Sequence, residues 1–336
     1  MYDSVVMRAL FVGGTGIISS ACARLAIDRG IELHLLHRGQ TTRREPPAGA
    51  RLHQADISDP ASVRRALGEL SFDVVANFVV FTPEQIERDI ELFRDRALQY
   101  VFISSASAYH TPPRRLPVTE STPLVNPFWQ YSRNKIACEE RLLRAYREHD
   151  FPFTIVRPSH TYDPTLLPMH GGWTVVERMR RGKPVIVHGD GTSLWTLTHH
   201  TDFARGFVGL LGNDGALGEA FHITSDEWLS WNQIYETVAY AAGVEPKLLH
   251  LPSEVIAAHD PEWGASLLGD KTHSMVFDNT KIKRLVPDYC AVVPFARGAE
   301  QIVAWYDAAP ERRVFDPELD ALLDRLVLAQ RASLPA

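Results

Sequence analysis

A chain of 336 residues, 45% apolar and 23% charged, can build a buried core, which excludes a disordered or fibrous protein. A formal net charge of −6 excludes a nucleic-acid surface as the main business of the whole molecule. The three cysteines, Cys22, Cys138 and Cys290, stand too far apart for a thiolate metal site or a disulfide framework, which predicts a reduced, cytoplasmic protein.

Met1 to Val6 show no basic region followed by an apolar one, so no signal peptide is expected. The longest apolar run, Val74 to Phe81, is broken by Asn77 and too short to cross a bilayer. In chain order, Ala9 to Val12 reads as a first strand that ends at glycines. Ile17 to Asp28 reads as a helix closed by Gly30. Leu33 to Leu36 and Leu52 to Ala55 are the next strands, Pro60 to Leu70 a helix, and Val74 to Val80 a buried strand. Thr82, Pro83 and Gln85 form a helix start: a hydroxyl cap, proline in the first turn and a polar residue three on. Tyr100 to Ile103 is a strand, Tyr131 to Glu148 a long helix, and Phe153 to Val156 a further strand. Buried strands alternating with helices predict a doubly wound, parallel α/β sheet of the Rossmann type.

After Pro158 this rhythm breaks, and loops rich in Pro, Gly and His are expected up to about Asp190. Helices follow at Trp231 to Ala242, Thr280 to Leu285, Pro294 to Ala308 and Pro317 to Ala332. The expected division is a dinucleotide-binding domain over residues 1–165, with a return segment at about 192–225. A smaller, mainly helical substrate lid is expected over 166–191 and 226–336, above the carboxyl edge of the sheet.

The first strand leads into Val12-Gly13-Gly14-Thr15-Gly16-Ile17-Ile18-Ser19. Glycines are needed here because a Cβ would collide with a pyrophosphate and because the turn needs permissive backbone angles. The helix that follows offers free N–H groups and a positive dipole end to phosphates. Gly13, Gly14, Thr15, Gly16, Ile17 and Ile18 are therefore the expected dinucleotide cradle, with Ser19 where a third glycine often sits. The second strand ends in His37-Arg38-Gly39, with no carboxylate to take a ribose 2′-hydroxyl. Arg38 can meet a 2′-phosphate, with Arg43 and Arg44 close behind, so the cofactor is NADP or NAD with NADP favoured.

Tyr131 and Lys135 lie four apart on one helix face. An ammonium beside a phenol favours the phenolate, so the pair is expected to exchange a proton at a carbinol oxygen while hydride moves to or from a nicotinamide.

With the glycine turn, this pair makes the chain resemble the extended short-chain dehydrogenase/reductase family, which includes epimerases, dehydratases and ketoreductases. Asp56-Ile57-Ser58-Asp59 resembles that family's adenine-contacting segment, which implies Asp56, with Ile57 beside it, as the contact. Ile103-Ser104-Ser105-Ala106-Ser107-Ala108-Tyr109 resembles the strand with the catalytic hydroxyl, which implies Ser105 as third member of the site. Arg157-Pro158 and Gly189-Asp190-Gly191 are further landmarks. The resemblance implies Tyr131 as general acid/base and Lys135 as the group that binds the nicotinamide ribose and lowers the Tyr131 pKa. It also implies a homodimer through the helices that start near Thr82 and at Tyr131. The stretch from Gly189 to His200 is similar to a branch related to chloroplast stem-loop binding proteins, some of them RNA-associated.

Three departures narrow the substrate. Ala106 and Ser107 stand where dehydratases of the family carry an acidic pair. Trp195 stands where nucleotide-sugar enzymes hold a diphosphate with arginine, and His160 where an asparagine often contacts the sugar nucleotide. Arg178, Arg180 and Arg181 read as a solvated helix face. His199, His200 and Asp202 do not read as a metal site: adjacent strand histidines point to opposite faces, and Asp202 suits the cap of a helix from Phe203 to Leu211. Trp173, Trp228, Trp231 and Trp263 read as core, with Trp173 the best exception. The expected activity is a redox epimerase or ketoreductase at a secondary alcohol or ketone carbon of a sugar-like small molecule, with no membrane or nucleic-acid partner. The alternative is a non-catalytic dinucleotide-sensing or RNA-associated protein on the same fold.

Overall fold

The computed structural model describes residues 6–40 and 44–332, so Arg43 lies outside the described residues. The first half comprises β1 (Arg8–Val12), α1 (Ile17–Asp28), β2 (Glu32–His37), β3 (Arg51–Gln54) and α2 (Pro60–Leu67). Then come β4 (Phe72–Asn77), α3 (Pro83–Phe93), β5 (Ala97–Ile103), α4 (Gln130–His149) and β6 (Phe153–Pro158). Gly68 ends α2 sooner than its apolar pattern suggests, with a φ of 54°. Asn77 ends β4, because its side chain turns back to accept from Val79 N at 2.9 Å.

The second half begins with β7 (His160–Tyr162), α5 (Trp173–Arg180), β8 (Pro184–His188), β9 (Leu194–Trp195), β10 (Leu197–His199) and α6 (His200–Leu210). It continues through β11 (Glu219–Ile223), β12 (Leu229–Ser230), α7 (Trp231–Ala241), β13 (Lys247–Leu251), α8 (Ser253–His259) and α9 (Pro261–Ser266). A π-helical turn over Leu267–Lys271 leads to α10 (Thr280–Leu285), α11 (Phe295–Asp307) and α12 (Pro317–Ala332).

Seven strands form one parallel sheet in the order β11-β6-β5-β4-β1-β2-β3. From β1 the chain winds outward to β3, then crosses to β4 on the other side of β1. The reversal opens a crevice at the carboxyl ends of β1 and β4, the switch point where such sheets take ligands. Strand residues Ala9, Leu10, Phe11 and Val12 are buried, as a strand covered on both faces requires. Small residues on α1, among them Ala21, Cys22, Ala23 and Ala26, let it pack closely on the sheet and against α6. No helix among the described residues is long and apolar enough to cross a membrane.

Residues 159 to 190 are more ordered than loops: they hold β7, α5 and β8, and β8 pairs in parallel with β13. These pieces are short, and Gly171, Gly172 and Gly182 flank them, which hides their period in the sequence. Arg178, expected in solvent, is fully buried. It sits between Asp320 and Asp324 of α12 and donates to Pro184 O at 2.9 Å, so its charge is neutralised and its donors used.

Three other expectations are corrected. His199, not Asp202, caps α6, its ring accepting from Thr201 N. The strand ends at His199 and the helix starts at His200, so the two rings meet at 4.5 Å and do not face apart. Asp202 accepts from Val292 N at 3.0 Å and Val293 N at 2.8 Å, tying α6 to the lead-in of α11. Trp173 is core, stacked on Tyr306 at 4.8 Å, whereas Trp228 is 53% exposed.

Candidate active site

At the crevice, Gly13 has a φ of 82°, and a Cβ there would meet Val79 Cγ1 at 2.6 Å. Ser19 Oγ accepts from Gly16 N at 2.8 Å and donates to Gly13 O at 2.7 Å, so serine cross-links the bend where a third glycine is absent. The first-turn amides of α1 begin at Ile17 and Ile18, and no acidic residue lies in that turn. Gly14 is buried against Leu35, and a Cβ there would meet Leu35 Cδ2 at 2.6 Å.

The bend opens onto a cleft of about 530 Å³. Gly13, Thr15, Gly16, Arg38, Asp56 and Ile57 all line it, and Gly14, Ile17 and Ile18 adjoin them in the bend. Asp56 Oδ1 accepts from Ser58 N at 2.9 Å and Ser58 Oγ at 2.7 Å, and these bonds hold its carboxyl below the usual range. Arg44 also lines the cleft, but its guanidinium is committed to Asp163 and Thr165. Arg38 is exposed at the cleft rim. Phe81, Gln85 and Arg88 also line it, and their local sequence marks only Gln85, as part of a helix start. An open cradle at glycines and a facing arginine fit a dinucleotide with its pyrophosphate at the helix N-terminus.

Tyr131, in the first turn of α4, lines a second pocket of about 220 Å³ with Ser105, Ser107, Trp129, His160 and Trp195. Ser105 stands near enough to its hydroxyl to act on its pKa. Ser105 Oγ lies 2.8 Å from Ser107 Oγ, which accepts from Ser132 Oγ at 2.7 Å. The three hydroxyls thus form a chain that fixes Ser105 from behind. The adjacent Asn126 donates to Ser107 O at 2.8 Å and Gly269 O at 2.6 Å, which ties this loop to the π-turn.

Lys135 is only 2% exposed. Its Nζ donates to Val80 O at 2.6 Å and Ile103 O at 2.7 Å, and lies 5.6 Å from the centroid of the Tyr131 ring. Burial pulls its pKa down to about 8. The expectation that Lys135 lowers the Tyr131 pKa is not met. Burial pushes Tyr131 up to about 12, with Ser105 acting the other way. The reason is geometric: the ammonium turns to two carbonyls, and the phenol sits in a dry pocket.

Two residues that local sequence reasoning misses, Asp270 and Lys271, close the same pocket and pair at 3.0 Å. They follow Tyr131 by more than 130 residues, and only the fold brings them there. Among the described residues, no group of His, Cys, Asp and Glu is arranged to hold a metal.

Residues 9–224 match the model of the NAD dependent epimerase/dehydratase family, and the chain belongs to that family. Among its relatives is a 2′-dehydrokanamycin reductase of Streptomyces kanamyceticus, 26% identical over 95% of this chain and 90% of the relative. A chloroplast stem-loop binding protein of 41 kDa from Arabidopsis thaliana is 28% identical over 72% of this chain and 65% of its own. Among solved structures, an epimerase of Methanothermobacter thermautotrophicus superposes with a TM-score of 0.74 at 17% identity, over 92% of this chain and 94% of that one.

Proposed function

We propose that this chain is an NAD(P)-dependent oxidoreductase that acts at a secondary alcohol or ketone carbon of a sugar-like substrate, as a ketoreductase or redox epimerase. One observation carries the reading: Tyr131 and Ser105 line one pocket, and Lys135 Nζ donates to Ile103 O, two residues before Ser105, and to Val80 O, between Val79 and Phe81 of the glycine-bend cleft. The division of labour follows. Residues 1–165 and about 192–225 hold the dinucleotide, and 166–191 with 226–336 hold the substrate.

The amides of the Gly13–Ile18 bend would hold the pyrophosphate, Asp56 and Ile57 the adenine end, Arg38 a 2′-phosphate, and Lys135 the nicotinamide ribose. The bound cofactor supplies or accepts the hydride. Tyr131 remains a phenol below pH about 12, so it is a proton donor at neutral pH. It gives its proton to the substrate oxygen that Ser105 also holds. This protonation state suits carbonyl reduction, and so does the length of the match to the S. kanamyceticus reductase. Leu143 and Tyr146, about 37% and 40% exposed on α4, suit a homodimer face.

The test is nicotinamide absorbance with NADPH and a panel of keto-sugars. Turnover with at least one ketone supports the proposal; NADPH binding without any turnover by the panel counts against it. Arg38→Ala is expected to weaken NADP about tenfold or more while changing NAD about twofold or less, as loss of a charged phosphate contact requires. Equal loss for both cofactors, measured by fluorescence titration, removes the NADP preference. Ser107→Ala is expected to lower kcat about tenfold with cofactor affinity unchanged, because Ser105 loses its rear support.

A further inference from the structure

We propose that the pocket beyond Tyr131 takes a hydroxyl-rich ring without phosphate, held by Trp195, His160 and the Asp270–Lys271 pair. This rests on the oxidoreductase reading and names its substrate class.

Trp195 and His160 reach one pocket from different strands, β9 and β7. Trp195 is 4% exposed. Its Nε1 and the Nε2 of His160 are buried, with no hydrogen-bond partner among the described residues. An indole N–H only donates, so it requires an oxygen acceptor. Leaving such a group dry and unpaired is costly, and a ligand oxygen removes that cost. His160 is neutral at pH 7, burial having pulled its pKa down to about 3. A neutral imidazole brings no charge to an anion, but a hydroxyl can meet either tautomer.

The charge of the pocket agrees. Lys271 is its one cation among the described lining residues, and it is already paired with Asp270. Its Nζ rests 5.5 Å from the Trp129 ring and 6.0 Å from the Trp195 ring. A diphosphate would meet a pair of net zero charge and no guanidinium. A polyol instead finds a carboxylate to accept its O–H groups and an ammonium to donate to its oxygens.

The pair is held in place. It projects from the π-turn, closed by Thr272 N to Leu267 O at 2.9 Å. A Cβ on Gly269 would meet Trp129 Cβ at 2.6 Å, so the turn lies flush on the wall of the pocket. Single π-turns recur at functional sites. Past His160 and Lys271 opens a second chamber of about 260 Å³, with Leu167, Met169, Trp231 and Trp263 in its wall. Its apolar and aromatic surface suits the face of a second, uncharged ring.

The test is calorimetry on the full chain saturated with NADPH. The probes are maltose, lactose, methyl α-glucoside and glucosamine, against UDP-glucose and UDP. At least one phosphate-free probe is expected to bind, and the two nucleotides are expected to give no heat. Trp195→Phe should weaken the bound sugar about tenfold, the loss of one buried hydrogen bond. Because Trp195 also packs in the core, Lys271→Gln is the second variant, with the same expected loss. NADPH affinity should be unchanged in both. Binding of UDP or UDP-glucose at a Kd below about 100 μM, or silence from all four sugars, overturns the proposal. Failure of the chain to bind NADPH would instead defeat the oxidoreductase reading itself.

Discussion

Tyr131→Phe is expected to lower kcat about 10³-fold and leave the affinity for NADPH within about twofold. The substitution removes one oxygen and keeps the ring, which packs tilted against Trp129 at 4.7 Å. The fold therefore loses little. Chemistry loses the phenol that hands a proton to the substrate oxygen beside Ser105. Ser105 does not substitute, because a serine hydroxyl is a far weaker acid than a phenol. Steady-state kinetics with a cofactor titration of the same preparation checks this. Near-full activity in the variant would remove Tyr131 from the mechanism.

Lys135→Met is expected to abolish turnover as well, and to leave a pH signature in stability. Lys135 holds its ammonium on two carbonyls, and burial draws its pKa from an ordinary 10.5 down to about 8. Between those values the unfolded chain still carries a proton that the folded chain has released. Stability from this residue therefore rises with pH through that window, and the full cost is present below pH about 8. At about 1.4 kcal/mol per pH unit, the cost is up to about 3 kcal/mol. The unfolding free energy of the wild type should accordingly gain on that of Lys135→Met by up to about 3 kcal/mol across the window. Urea denaturation of both proteins at the two ends measures it, since other groups cancel in the difference. No relative gain would mean that Lys135 is not charged and buried as described. The cost makes sense only if an ammonium at that place is needed for function.

The sheet, the glycine bend and the Tyr131–Lys135 spacing were legible in the sequence because each is a local pattern. Buried parallel strands show as apolar runs, positive φ demands glycine at Gly13, and residues four apart share a helix face. What escaped is made by distant partners. Arg178 reads as a surface residue until α12 brings Asp320 and Asp324 to it. Arg44 reads as a basic residue close behind Arg38 until Asp163 takes it. Asp202 and His199 both suit a helix cap, and the choice fell to His199 because the Asp202 carboxylate serves the backbone of Val292 and Val293. Phe81, Gln85 and Arg88 enter the cofactor cleft, and Asp270 and Lys271 the substrate pocket, by topology alone. The Tyr131 pKa failed for a related reason: the spacing placed Lys135 nearby, but not the carbonyls that turn its ammonium away.

The central claim is that the Tyr131 hydroxyl and a nicotinamide share one reaction space while the pyrophosphate rests on the Gly13 bend. A crystal structure with NADPH bound tests it most directly. The account predicts phosphate oxygens on the amides that begin α1 and the reactive ring carbon within about 4 Å of a substrate atom that Tyr131 can reach. A dinucleotide bound elsewhere, or a nicotinamide turned away from Tyr131, would contradict it.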